Sequence, residues 1–106
     1  PNDSYTLSCM QYFTSSNLAY GYGVIFLVFP RSLEYYDNNS ASGHYISCSG
    51  IYYKDASVVH YDQIELRVND PHYLGAYFGE HRVDFLDMAE AMYDYSSNRG
   101  PNNFVY

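Results

Sequence analysis

The sequence has few basic residues: five lysines and arginines stand against twelve aspartates and glutamates, which gives a formal net charge of -7. Lys54 is the only lysine. Proteins that bind nucleic-acid backbone or anionic membranes gain affinity by neutralising phosphates with lysine and arginine, so direct binding to either is disfavoured. An acidic chain favours a basic partner instead, because complementary fields accelerate encounter.

Cysteine is also scarce, and the sequence contains no tryptophan and no long apolar run. Cys9 and Cys48 are too few for a disulfide scaffold, so we expect two free, buried thiols in a reduced compartment; one Cys9–Cys48 bridge in a secreted chain is the alternative. The longest apolar run, from Val24 to Phe29, has the length of a strand and not the roughly 18 residues of a membrane span. No signal peptide is visible, so we expect a cytoplasmic protein.

The motifs of common catalytic and metal sites are missing too. The four histidines lack the paired spacing of a zinc site and are expected to be scattered and half-buried: His44, His60, His72 and His81. Gly21-Tyr-Gly23 lies inside a predicted strand, which excludes a phosphate-binding loop. A cysteine nucleophile needs an electropositive, partly open setting, whereas both cysteines occupy inward strand positions. We therefore expect no enzyme, no metal and no cofactor.

The first two thirds of the chain contain a succession of strand patterns. Tyr5 to Phe13 alternates and is predicted as a first strand. The second predicted strand, from Leu18 to Phe29, is apolar at every position from Val24 onward, which is typical of a central strand. His44 to Tyr53 and Val58 to Val68 form a predicted hairpin. Its inward residues are Ile46, Cys48, Ile64, Leu66 and Val68, and its outward residues are Tyr45, Ser47, Tyr53, Tyr61, Glu65 and Arg67.

Two helices are predicted to follow the strands. Asn69-Asp-Pro71 is typical of a helix start with Asp70 as its cap, which predicts a short helix from His72 to Phe78. A longer helix is predicted from Glu80 to Tyr95, with an apolar face and Leu86 beside it: Phe85, Met88, Ala89 and Met92. The sequence therefore predicts one α+β domain over residues 1–106, with about four antiparallel strands followed by a short and a long C-terminal helix packed on one face of the sheet.

The predicted long helix also carries an acidic face. Asp84, Asp87, Glu90 and Asp94 recur at helical spacing, with no lysine or arginine among them. Each close pair of like charges costs roughly 0.3 kcal/mol. A solubilising face usually interleaves lysine with glutamate, so this face is either ordinary solvated surface or a contact surface for a positively charged partner.

Tyrosine is the second candidate for a contact surface, since fifteen tyrosines cannot all be buried in a chain of 106 residues. Tyrosine brings a large rigid contact area with a hydrogen-bonding tip, and is therefore enriched in interfaces. The plainer interpretation is that the tyrosines fill a β-rich core and its rim. The residues predicted to bind a partner are Asp84, Asp87, Glu90, Asp94, Tyr35, Tyr36 and Tyr95.

These features favour a small acidic protein, monomer or homodimer, that binds and blocks a basic, nucleic-acid-handling partner protein. Its carboxylates would occupy a site that normally receives phosphates. Anti-CRISPR and antirestriction proteins share this small, acidic, motif-poor character. An immunity protein or antitoxin that neutralises a nuclease toxin is the closest alternative. A secreted β-rich binding protein with one disulfide is the alternative from another class.

Overall fold

The computed structural model describes residues 4–36, 43–55, 60–72 and 77–99. In this part of the chain, two α-helices and four strands follow one another with two short 3-10 helices, at Pro30–Ser32 and Tyr61–Gln63. The main elements are α1 (Ser4–Ala19), β1 (Val24–Val28), β2 (His44–Tyr53), β3 (Ile64–Asp70), β4 (Gly79–Asp84) and α2 (Phe85–Arg99).

The four strands form one antiparallel sheet in the order β1-β2-β3-β4. Alternate residues of each strand point to one side, so that one face of the sheet is buried and the other is exposed to solvent. The helices supply the residues that cover the buried face, among them Leu7 and Met10 from α1 and Phe85 and Met88 from α2. The predicted α+β class with an antiparallel four-stranded sheet is confirmed.

The first predicted strand is wrong, because residues 4–19 form helix α1. Leu7, Met10 and Thr14 are buried on one side of this helix, at spacings of three and four, whereas Cys9 and Tyr12 are exposed. Short runs of alternating polarity contain positions that also fit a helical stripe, and here packing against the sheet selected the helix. Cys9, predicted to face inward from a strand, therefore lies on the outer side of α1.

Just past the end of α1 lies Gly21, a residue that the sequence pattern placed inside the predicted strand from Leu18 to Phe29. Gly21 has a φ of 82°, a left-handed conformation that glycine adopts without steric cost. Its N–H donates to the Leu18 carbonyl at 3.0 Å, and the Tyr22 N–H donates to the Asn17 carbonyl at 2.9 Å. This is a Schellman C-cap, which satisfies carbonyls that the helix end leaves unpaired.

The predicted pairing forms between β2 and β3, but the second strand, predicted from Val58 to Val68, begins only at Ile64, after the 3-10 helix Tyr61–Gln63. Cys48 and Val68, which were predicted to share the inner face, lie opposite each other, but a bulge between Cys48 and Gly50 then brings Ile51 opposite Leu66. The extra residue turns the end of β2 over. Tyr53, predicted to point outward, therefore points to the helix side, where its hydroxyl accepts a hydrogen bond from Gln11 Nε2 at 3.0 Å.

The predicted long helix begins later than expected. Residues 80–84 belong to β4, which pairs with β3 from Asp70–Gly79 to Glu65–Asp84. Val83 is buried and Arg82 and Asp84 are exposed, which is the alternation of a strand. From Phe85 onward the predicted apolar face is confirmed, because its four residues are buried and belong to the core: Phe85, Met88, Ala89 and Met92.

Two further predictions fall largely on residues outside the described ranges. The short helix from His72 to Phe78 includes residues 73–76; of its described residues, His72 follows β3 and Tyr77 and Phe78 form a turn before β4. Asp70, predicted as its cap, is the last residue of β3. The polar stretch from Arg31 to Gly43, whose composition predicts a long surface loop, includes residues 37–42, but its start belongs to the 3-10 helix Pro30–Ser32.

Candidate functional site

The acidic residues predicted as one helical face come from two elements. Asp84 ends β4, one residue before α2 begins, and its carboxylate lies 3.6 Å from Lys54 Nζ. Asp87, Glu90 and Asp94 belong to α2. The expectation that this face lacks basic partners is therefore wrong for Asp84, because the tertiary fold brings Lys54 from the end of β2.

Asp94 is paired as well, and more tightly. Arg31 Nε and Nη2 donate to its two carboxylate oxygens at 2.6 and 2.7 Å, which is the two-point geometry favoured by a guanidinium and a carboxylate. These hydrogen bonds, which Arg31 donates to Asp94, raise the pKa of Arg31. Arg31 also lies over the Phe29 ring at 5.2 Å. Asp94 thus joins α2 to the end of β1 and is neutralised within the chain.

Asp87, unlike Asp94, lies near other carboxylates. Burial raises its pKa, and so do three neighbouring carboxylates: Asp84, Glu34 and Glu90. Glu34, which follows the 3-10 helix Pro30–Ser32, was not predicted to take part. We define the acidic patch as Glu34, Asp87 and Glu90, with Asp84 at its margin beside Lys54. The electrostatic repulsion inferred from sequence spacing is therefore present, but around a revised set of residues.

The three tyrosines predicted to bind a partner are half-buried and engaged within the chain. The Tyr35 hydroxyl donates to Asp70 Oδ2 at 2.6 Å, and its ring stacks on His81 with centroids 3.7 Å apart. The Tyr36 ring stacks on Tyr77 at 4.2 Å. Tyr95 meets the edge of Phe29 at 5.3 Å. The most exposed tyrosines among the described residues are others: Tyr12, Tyr20, Tyr22 and Tyr45.

Sequence reasoning missed a cluster of polar side chains around Asp70. Its side chain has no exposed surface and accepts three hydrogen bonds: from Tyr35, from His44 Nε2 at 2.6 Å, and from the His72 backbone N–H at 2.9 Å. Burial alone would raise the pKa of Asp70, but these hydrogen bonds outweigh it and lower the pKa. Burial, together with the hydrogen bond to Asp70, raises the pKa of Tyr35.

Three histidines belong to this cluster, although they are far apart in sequence: His44 and His72 contact Asp70, and His81 stacks on Tyr35. His44 begins β2, His72 follows β3, and His81 lies in β4, so the sheet brings them to one end of its buried face. The His44 and His72 rings are 5.7 Å apart. The expectation of scattered histidines is therefore wrong for these three. No local spacing predicts the cluster, because its members meet only after the strands pair.

The arrangement around Asp70 is that of a polar core, closed by aromatic rings. Tyr36 packs against His44 and His72, and burial and the nearby Asp70 carboxylate raise its pKa. The Tyr36 hydroxyl is buried and has no hydrogen-bond partner among the described residues. Within those residues, no group of three histidine, cysteine or carboxylate side chains could hold a metal ion.

The two cysteines are free thiols in different environments. Cys9 is exposed on α1, and Cys48 is buried in β2. Burial raises the pKa of Cys48 to about 11.

Of the helices that the structure describes, none combines the length and the apolar character required to cross a membrane.

Comparison of the chain with protein-family models, with curated proteins and with solved structures finds no match.

Proposed function

We propose that this protein is a small binding protein whose acidic patch docks on a basic partner, and that the partner is a nucleic-acid-handling protein inhibited by this contact. The observation that carries the proposal is the position of Asp87, whose pKa is raised by burial and by carboxylates from three different segments. A surface that keeps such repulsion is destabilising by itself and becomes favourable when a partner supplies positive charge.

The neighbouring ion pairs limit the extent of this surface. Arg31 pairs with Asp94 and Lys54 lies beside Asp84, so these two carboxylates are compensated within the chain, whereas Asp87 lies among other carboxylates. Carboxylates grouped in this way can occupy a cleft that binds successive phosphates, which is how an acidic inhibitor would exclude nucleic acid. An immunity protein that neutralises a nuclease would use the same contact and differs in the identity of the partner.

In this proposal the Asp70 cluster has a structural role and not a catalytic one. Its carboxylate has no exposed surface, and its hydrogen bonds fix Tyr35, the residue next to Glu34. The cluster therefore holds one edge of the acidic patch in place. Two free thiols suit a reducing compartment such as the cytoplasm.

The test compares two double variants that remove the same charge. In Asp87→Asn with Glu90→Gln, the acidic patch is reduced; in Asp62→Asn with Glu80→Gln, two exposed carboxylates elsewhere are removed. Proteins captured from source-cell extract on each immobilised variant are identified, and the affinity of the purified partner is then measured at low and high salt.

We expect the first double variant to lose roughly tenfold or more in affinity, with a weaker dependence on salt, and the control to bind like wild type. DNA or RNA should compete with the protein for its partner. Equal loss in the two variants would show that net charge alone is responsible. Wild-type affinity in both would refute the proposed role of the acidic patch.

A further inference from the structure

The solvent-exposed face of the sheet, opposite the helices, carries a second surface that the acidic patch does not explain. A groove of about 480 Å³ crosses one end of this face. Its walls include Ile25, Tyr45 and Phe78, which are 41%, 55% and 64% exposed. Ser47 and Asn69, which are partners across β2 and β3, also line it. Apolar grooves with a few polar groups are typical of binding sites.

The guanidinium group of Arg67 lies on the same face of the sheet as this groove. Arg67 is two residues from Asn69 in β3, so both occupy the same face, about 7 Å apart. Its partner across the strands is a second arginine, Arg82. Like charges placed directly opposite each other are unfavourable unless something compensates them.

The two arginines differ in what they already bind. Arg82 donates to Glu65 at 2.9 Å and lies over the Tyr52 ring at 4.3 Å, so its charge is compensated. Arg67 donates through Nε to the Ser49 hydroxyl at 3.2 Å. Of the four basic side chains that the structure describes, Arg31, Lys54 and Arg82 lie beside carboxylates, and Arg67 is the exception.

We propose that this face binds an extended peptide segment of a partner protein that presents an apolar side chain and, close to it in sequence, a carboxylate. The apolar side chain enters the groove between Tyr45 and Phe78, and the carboxylate pairs with the open nitrogens of Arg67. In an extended peptide, side chains two positions apart on one face are also about 7 Å apart, which matches the spacing along β3 between Asn69, at the groove, and Arg67.

Charge decides between this ligand and the other candidates for the face. Nucleic acid would require several cations along its path, whereas the other arginine and the lysine near this face are already paired. A second copy of the chain would bring another net charge of -7. One guanidinium beside an apolar groove suits a single carboxylate, because the planar fork of arginine binds a carboxylate at two points.

In the experiment, binding peptides are selected from a random decapeptide display library on the immobilised protein. The best of them are then synthesised, and their affinity for purified variants is measured. We expect enriched peptides to combine an aromatic or aliphatic residue with an aspartate or glutamate within a few positions. Arg67→Gln should weaken them roughly tenfold or more, and Arg67→Lys should restore only part of the loss, since lysine cannot bind at two points. Phe78→Ala should weaken them independently.

The matched control is Lys54→Gln, which removes the same charge near this face but away from the groove and should leave affinity unchanged. Asp87→Asn with Glu90→Gln should also bind these peptides like wild type, so that failure here and failure of the acidic patch can be told apart. Absence of enrichment, enrichment of basic peptides, or an unchanged affinity in Arg67→Gln would each overturn the proposal. Self-association that Arg67→Gln abolishes would overturn it in favour of a homodimer.

Discussion

Arg31 and Asp94, separated by 63 positions in sequence, form a two-point ion pair with N–O distances of 2.6 and 2.7 Å. The pair joins the segment after β1 to the last turns of α2, close to where the Phe29 N–H donates to the Ala91 carbonyl at 3.1 Å. The ion pair therefore helps to fix α2 on the sheet. It also makes the Asp94 carboxylate less available to a partner, because that carboxylate is already paired within the chain.

The first prediction separates Asp94 from the acidic patch. Because Arg31 already neutralises Asp94, Asp94→Asn should slightly destabilise the fold and leave partner affinity within about twofold of wild type, as expected for a site outside the contact. Asp87→Asn should show the reverse, with weaker binding. Calorimetric unfolding and a binding titration of each variant measure the two effects. A larger loss of affinity in Asp94→Asn than in Asp87→Asn would restore Asp94 to the interface.

The second prediction concerns the carboxylate that organises the polar cluster. Asp70→Asn removes the charge that accepts hydrogen bonds from Tyr35, His44 and the His72 backbone, and places an amide donor among them. We expect the free energy of unfolding to fall by about 3 kcal/mol, because buried donors lose a charged acceptor. Urea denaturation provides the measurement, with Asp62→Asn as the exposed control. A loss no larger than the control's would mean that the cluster contributes nothing specific.

The lowered pKa of Asp70 gives a third prediction, in the acid range. Its ionised form is favoured in the folded state by the hydrogen bonds it accepts, despite the opposing effect of burial. That stabilisation is fully present above the unfolded pKa of about 4 and is lost as the pH falls through the lower folded pKa. The decline in the free energy of unfolding below pH 5 should therefore be shallower in Asp70→Asn than in wild type. Parallel curves for the two proteins would contradict this.

Local patterns predicted the apolar face of α2 and the main parts of β1, β2 and β3, because in each of them a few neighbouring residues determine which side is buried. They failed at α1, where Leu7, Met10 and Thr14 supply a narrow helical stripe that alternation obscured. The sequence did contain a correcting feature: Gly21 lies just past the end of the helix, as a C-cap requires.

The chemistry of the candidate site was less accessible to sequence reasoning, and for a different reason. The acidic face was found from its spacing, but its neutralisation by Arg31 and Lys54 and its extension by Glu34 depend on contacts across the fold. The Asp70 cluster joins residues from four separate segments. Only strand pairing brings such residues together, so no periodicity within one element predicts them.

The fourth prediction tests which residues of α2 hold it on the sheet. Phe85 and Met88 are fully buried, whereas Leu86 is packed at the edge of the core and half-buried. Phe85→Ala should reduce the free energy of unfolding by about 4 kcal/mol, and Leu86→Ala by about 1–2 kcal/mol, because cost follows the buried volume removed. Chemical denaturation with unchanged m-values would establish the order. Equal losses, or a larger loss at Leu86, would mean that α2 is rotated from the orientation described here.

The last prediction uses the thiols, which report on the fold and on its oxidation state together. Cys9 is exposed on α1, whereas Cys48 is buried in β2 with its pKa raised to about 11. Since the thiolate is the reactive species, Cys48 should react with a thiol reagent at pH 8 more slowly than Cys9 by roughly tenfold or more, because its raised pKa leaves little thiolate and its burial restricts access. The native protein should release one equivalent of chromophore rapidly and the second only on unfolding. Cys9→Ser should remove the fast phase and Cys48→Ser the slow one. Two fast equivalents would place Cys48 at the surface, and a gain of two hydrogens on reduction would show that the thiols are bridged, as the secreted alternative requires.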